Sequence, residues 1–149
     1  MQKLFESWRQ HLKEDNSYPR GEDDDIDKVS KVIIFNKDKD ILILQRADHM
    51  VWGAEKWDLP GGHWKKDETA EEAAKREVKE ETGLNVKELK KIGNVKKITV
   101  FQTDVAKSNK IKLDDENSSH KWIDPKDIDD YDFVSLLVDI ITDLKDKEE

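Results

Sequence analysis

The segment from Gly62 to Leu84, GHWKKDETAEEAAKREVKEETGL, limits most sharply what this chain can become. Its spacing predicts a loop feeding a helix. On a wheel that turns by about 100° per residue, centred on Ala70, the residues Ala73, Ala74 and Val78 share one side, the side a helix buries. Glu77 and Glu81 fall near the middle of that same side and Glu80 at its edge, while Glu72, Lys75 and Lys79 point the other way. Carboxylates so placed repel one another, as i, i+4 and i, i+3 pairs, and burial adds a desolvation penalty. Something positive must stabilise them. Arg76 supplies a single charge; divalent cations are the better match, because hard cations prefer oxygen ligands. The competing reading is an ordinary charge-rich surface helix.

The same residues decide between these readings by a resemblance. The segment resembles the Nudix box, G-x5-E-x7-R-E-U-x-E-E-x-G-U with U a bulky aliphatic. Gly62, Glu68, Arg76, Glu77, Val78, Glu80, Glu81, Gly83 and Leu84 fill every defined position. So many restricted positions make a far more specific signal than a lone glycine-rich loop. The resemblance implies an α/β/α sandwich with a mixed β-sheet. It also implies a hydrolase that splits the pyrophosphate of a nucleoside diphosphate linked to another moiety, using Mg2+ or Mn2+. By position in the box, Glu77, Glu80 and Glu81 are the expected metal ligands, with the carbonyl of Gly61 as a further one. The general base is Glu77 or a glutamate beyond the box. Arg76 would orient a glutamate, and Glu68 would tie the loop to the helix. Clustered cations would neutralise phosphate oxygens and acidify a bound water.

The rest of the chain is compatible with this. Its 149 residues suit one domain with a sizeable core, although only 35% are hydrophobic and 42% are charged. There are no cysteines, which excludes disulfides, thiolate metal sites and a cysteine nucleophile and fits a reducing, cytoplasmic compartment. The first residues, MQKLFESWRQHLKEDN, lack the apolar run of a secretory signal, and no window reaches transmembrane length. The net charge of −8 disfavours nucleic acid as a partner. Lys87, Lys90, Lys91, Lys96 and Lys97 form a local basic cluster, read as a solvated strand edge. The oligomeric state is left open, a homodimer included.

Along the chain, residues 3–13 read as an amphipathic helix and residues 14–28 as an acidic linker, so residues 1–28 precede a domain at 29–149. Strands are expected at Lys31–Phe35, Ile41–Gln45 and Trp57–Leu59, the last ending at a Pro60-Gly61-Gly62 turn. After the box helix, Val86–Ile92 and Val95–Val105 read as strands split near Gly93-Asn94. A loop follows over Ala106–Ser119, with a short strand possible at Ile111–Leu113. Then come a strand at Lys121–Ile123, a helical turn from Pro125, and a helix over Phe133–Leu144. Such alternation implies a mixed sheet between helices.

Weaker candidates surround the box. Glu116 stands where many Nudix proteins carry a glutamate that reaches back to a metal or activates water, and His120 is its rival as base. Arg46, at the end of the second strand, is a candidate phosphate contact. Gly61 and Gly62 would let the backbone approach metal and phosphate closely. Trp52 and Trp57 are divided between base stacking and burial, and His63 and Trp64 between substrate contact and packing. The marks of the ADP-ribose, dinucleoside-polyphosphate, NADH and coenzyme-A subgroups are absent, which leaves nucleoside triphosphates and nucleotide sugars as favoured substrates. Two further classes compete with an enzyme. One is a Nudix-fold module that binds nucleotide without cleaving it; the other is an interaction protein docking through Leu4, Phe5, Trp8 and Leu12.

Overall fold

A computed structural model describes residues 28–95, 98–105 and 110–134. The helix expected at 3–13, the linker up to residue 27 and nearly all of the helix expected from Phe133 lie outside those residues. The strands, each with its range, are β1 (Val29–Phe35), β2 (Ile41–Arg46), β3 (Trp57–Asp58), β4 (Gly61–His63), β5 (Lys90–Val95), β6 (Ile98–Asp104) and β7 (Asn117–Ile123). One α-helix, α1 (Ala70–Thr82), and a 3-10 helix, Pro125–Asp130, complete the described elements. Among these residues no helix is long and apolar enough to cross a membrane.

The strands form one mixed seven-stranded sheet. β1 lies parallel to β6 along its whole length, whereas β5 runs antiparallel on the far side of β6. β1 and β2 leave their hairpin paired only at Phe35 and Ile41 and then separate. The chain from Lys56 to His63 runs between them. It pairs with β2 at Trp57 and Asp58, passes Pro60, whose carbonyl accepts the Val32 N–H at 2.9 Å, and pairs with β1 at Gly61–His63.

Alternation along β1 and β2 gives the sheet two apolar faces. Val32, Ile34, Leu42, Leu44 and Phe101 meet Ala74 and Val78 of α1. On the other face Ile33, Phe35, Ile41, Ile43, Val100 and Ile123 gather with Trp57, Ile128 and Phe133. α1 starts at a capping box: Thr69 Oγ1 accepts the Glu72 N–H at 3.1 Å, and Glu72 Oε1 accepts the Thr69 N–H at 2.9 Å. It stops at Gly83, left-handed at φ 78°, whose N–H donates to the Lys79 carbonyl.

Several boundaries differ from expectation. The Pro60-Gly61-Gly62 turn is in part a strand, because glycine lets β4 lie flush against β1. Gly93 and Asn94 do not split two strands; they sit inside β5, opposite Val100 and Thr99, next to a bulge that glycine tolerates. Val86–Leu89 precede β5 as coil, with Val86 buried under the helix. Ile111–Leu113 is not a strand, and β7 starts at Asn117, before the expected Lys121. Phe133, expected to open a helix, makes a parallel bridge to Trp57 instead.

Candidate active site

The inner side of α1 is as mixed as its sequence implies. Ala73, Ala74, Val78, Glu81 and Thr82 are buried, Glu77 is half-buried and Glu80 is exposed. Glu77 and Glu81 line a seam beside β4, against Gly62 and Gly61, and Glu80 is held near it through Arg76.

Arg76 is the hub of the half nearer the loop. Its Nε and Nη2 donate to the two oxygens of Glu68 at 2.7 and 2.9 Å, a bidentate pair. Nη1 donates to Glu77 Oε1 at 2.9 Å and to Glu80 Oε2 at 3.3 Å, and Nη2 also reaches the His63 carbonyl at 2.9 Å. Glu68 Oε1 in turn accepts the Lys65 N–H. The box loop is thereby laced to the helix through Glu68 and Arg76. The hydrogen bond from Arg76 holds the Glu68 carboxyl below its usual range. Burial pushes Glu77 up despite Arg76.

Glu81 is held differently. It is 9% exposed; its Oε1 accepts the Gly61 N–H at 2.7 Å, and its Oε2 lies 3.5 Å from Asn117 Nδ2. Burial, reinforced by the Glu77 and Asp58 charges, pushes its pKa up to about 8, against the opposing pull of Lys31 and the Gly61 N–H. The unfolded chain loses this proton near 4.5, whereas the folded one keeps it. Between those values the folded state binds more protons, so the stability Glu81 contributes falls as pH rises. We expect metal-free protein to lose on the order of 4 kcal/mol between pH 5 and 8 from this group, and Glu81→Gln to show a flatter profile. Denaturant melts of both proteins across that range check this; parallel profiles would mean that Glu81 is ionised throughout.

The glycines are needed for contacts other than those expected of them. A Cβ on Gly61, at φ +138°, would stand 2.0 Å from the Ser30 carbonyl oxygen; one on Gly62 would stand 2.7 Å from the Glu77 carboxyl carbon. The close approach is to β1 in the first case and to a catalytic candidate in the second.

Other candidates are not brought in. Glu116 is exposed in the turn before β7, where its carbonyl accepts the Ala47 N–H. Its buried neighbour Asn117 faces Glu81 instead, anchored to Asp114 Oδ1 at 3.0 Å. His120 is exposed on β7. Arg46 is engaged within its own loop: Nε donates to the Trp52 carbonyl at 2.8 Å and the guanidinium lies 4.9 Å from the Trp52 ring centre. Trp57 is core, edge-on to Tyr131. Trp64 packs, with its Nε1 donating to Ser30 Oγ. Lys87, Lys90 and Lys91 are exposed on or beside the edge strand β5, and Lys96 and Lys97 lie outside the described residues. Sequence reasoning missed Asn117, Asp58 and Lys31.

The donor set suits a hard divalent cation. It offers carboxylate oxygens, and Glu81 is a buried carboxylate whose ionisation demands a positive partner. Among the described residues, no three acidic or histidine side chains already enclose a common point.

The family model for the NUDIX domain matches residues 27–143. The chain belongs to this family. Its NUDIX fold is shared with the MutT protein of Methanosarcina mazei Go1, at a TM-score of 0.66 and 26% identity, over 80% of this chain and 92% of that one. A Bacillus subtilis (strain 168) protein to which 8-oxo-dGTP diphosphatase activity is ascribed is 47% identical over 62 residues, 42% of this chain and 38% of its own length. An oxidized purine nucleoside triphosphate hydrolase of Danio rerio is 46% identical over 54 residues, 36% of this chain and 35% of its own length. The matched segments span little more than a third of each of these two relatives.

Proposed function

We propose that this NUDIX protein is a pyrophosphohydrolase acting on a nucleoside triphosphate, with an oxidised purine nucleotide as the leading substrate. The observation that carries the reading is the buried Glu81 carboxylate, seated beside Glu77 at the Gly61–Gly62 backbone with every box position filled. The names of the two sequence relatives favour a triphosphate over a nucleotide sugar.

In this reading Glu77, Glu80, Glu81 and the Gly61 carbonyl would hold Mg2+, or Mn2+ in its place. Bound there, the cation would neutralise phosphate oxygens and lower the pKa of a water molecule. Arg76 keeps Glu77 and Glu80 at the mouth of the seam, and Glu68 keeps Arg76 in place. Glu77, half-buried and lying over Gly62, is the base that takes the proton of the attacking water, and Glu116 in the turn before β7 is its rival. Water enters, one phosphoanhydride P–O bond breaks, and a nucleoside monophosphate and pyrophosphate leave.

The test is a panel of ordinary and oxidised nucleoside triphosphates, dinucleoside polyphosphates and nucleotide sugars, assayed with Mg2+ and with product identification. We expect an oxidised purine triphosphate to give monophosphate and pyrophosphate with kcat/KM at least about tenfold above any nucleotide sugar, a difference of about 1.4 kcal/mol in transition-state binding. Turnover of sugars alone would reassign the substrate, and turnover of nothing would favour a binding module.

A further inference from the structure

Asn117 opens β7 where two held segments of chain meet. Upstream, the loop of residues 110–116 is docked on the last turn of α1. There the Lys112 N–H donates to the Thr82 carbonyl at 2.9 Å, and Ile111 and Leu113 pack against the apolar cluster that contains Val78 and Leu84. Downstream, β7 pairs with β2, and Asn117 stands opposite Arg46. Helix and sheet together therefore fix the backbone at this residue. The side chain is buried, and its amide nitrogen donates twice, to Asp114 Oδ1 at 3.0 Å and to Glu81 Oε2 at 3.5 Å. Two N–H groups thus meet two carboxylates. The reverse orientation of the amide would set its oxygen against both acids, so chemistry decides which way it points. Glu81 consequently receives one neutral donor on each oxygen, the Gly61 N–H of β4 on Oε1 and the Asn117 amide of β7 on Oε2. Glu77 and Glu80, by contrast, are held by the charge of Arg76.

We propose that Asn117 is a positioning residue for the carboxylate seam: its amide, fixed by Asp114, orients the Glu81 carboxylate and raises the affinity of the site for divalent cations. The inference rests on the metal reading above. A neutral donor orders a carboxylate without adding positive charge, so it does not oppose a cation at the remaining lone pairs. Groups that orient a metal ligand from behind typically contribute about ten- to a hundredfold to affinity. At 3.5 Å the amide steers Glu81 more than it grips it, so the low end of that range applies. The part of Asp114 is to hold the amide, which requires an acceptor oxygen and not a charge.

Calorimetric titration with Mg2+, without nucleotide, of wild type, Asn117→Leu, Asp114→Ala and Asp114→Asn tests this, with denaturant melts of the metal-free proteins alongside. Asn117→Leu, which fills the same space without donors, should bind Mg2+ about tenfold more weakly. Asp114→Ala should bind about threefold more weakly, and Asp114→Asn, which keeps an oxygen for the amide, should stay within about twofold of wild type. A merely structural role for Asn117 would lower the melts and leave the Mg2+ affinity of the folded protein unchanged, and that result overturns the proposal. Should Asn117→Leu not fold, the two Asp114 variants decide. An effect of the Asp114 charge alone would weaken both alike, so equal affinity in the two overturns the proposal as well. Absence of Mg2+ binding by wild type would remove the metal reading and this inference together, whereas binding that is equal in all four proteins removes only the inference.

Discussion

Gly61→Ala is expected to destabilise the protein by about 3–5 kcal/mol and to abolish activity. The new Cβ would lie 2.0 Å from the Ser30 carbonyl oxygen and 2.8 Å from the Lys31 Cα. Both are backbone atoms of β1, which is held along its other edge by seven residues of β6 and cannot give way. The positive φ adds strain for any residue with a side chain. β4 must therefore detach, taking with it the Gly61 N–H that Glu81 accepts. Gly62→Ala should behave differently. Its Cβ would meet the Glu77 carboxyl group at 2.7 Å, the far end of a flexible side chain that can swing aside. That variant should fold with near-normal stability and still lose turnover by about tenfold or more, because Glu77 is displaced. Melting curves and rates for the pair separate the two glycines; equal stability in both would refute the flush packing of β4.

Glu81→Gln is expected to lower kcat by about 10^3-fold, or about 4 kcal/mol of transition-state stabilisation, without weakening the metal-free fold. Glutamine keeps an oxygen for the Gly61 N–H and removes a carboxylate that burial disfavours. What it loses is the charge that would ligate a cation. Mg2+ at a hundred times its Kd should stabilise wild type by about 2.7 kcal/mol and the variant by little. Thermal melts with and without Mg2+ measure this, and equal stabilisation of both proteins would remove Glu81 from the metal site.

The helix and its carboxylates were legible because α1 carries its own signals. The apolar spacing of Ala73, Ala74 and Val78 sets which side is buried, and that side contains Glu81 whatever the rest of the chain does. Arg76 was legible only in part: its pairing with Glu68 reaches back across the loop, as the box implied, but its hold on the His63 carbonyl is a tertiary contact. The site beyond the box depended on where β7 begins. Glu116 ends the exposed turn before the strand and Asn117 opens the strand, so Asn117 is turned to Glu81 and Glu116 to solvent. A strand expected to start only at Lys121 hides that boundary. Lys31 was invisible for another reason: it reads as the polar end of an apolar strand until Asp58, distant in sequence, is placed beside it. Gly61 and Gly62 suggested a turn because the partner that requires them, β1, is likewise distant in sequence.

Divalent-metal hydrolysis at the carboxylates of α1 is tested most directly by the rate of pyrophosphate release from an oxidised purine nucleoside triphosphate, followed in Mg2+, after excess chelator, and after Mg2+ is restored. Release should stop with chelator and return with the metal. Release that continues at an undiminished rate in chelator would mean that hydrolysis does not depend on a divalent cation.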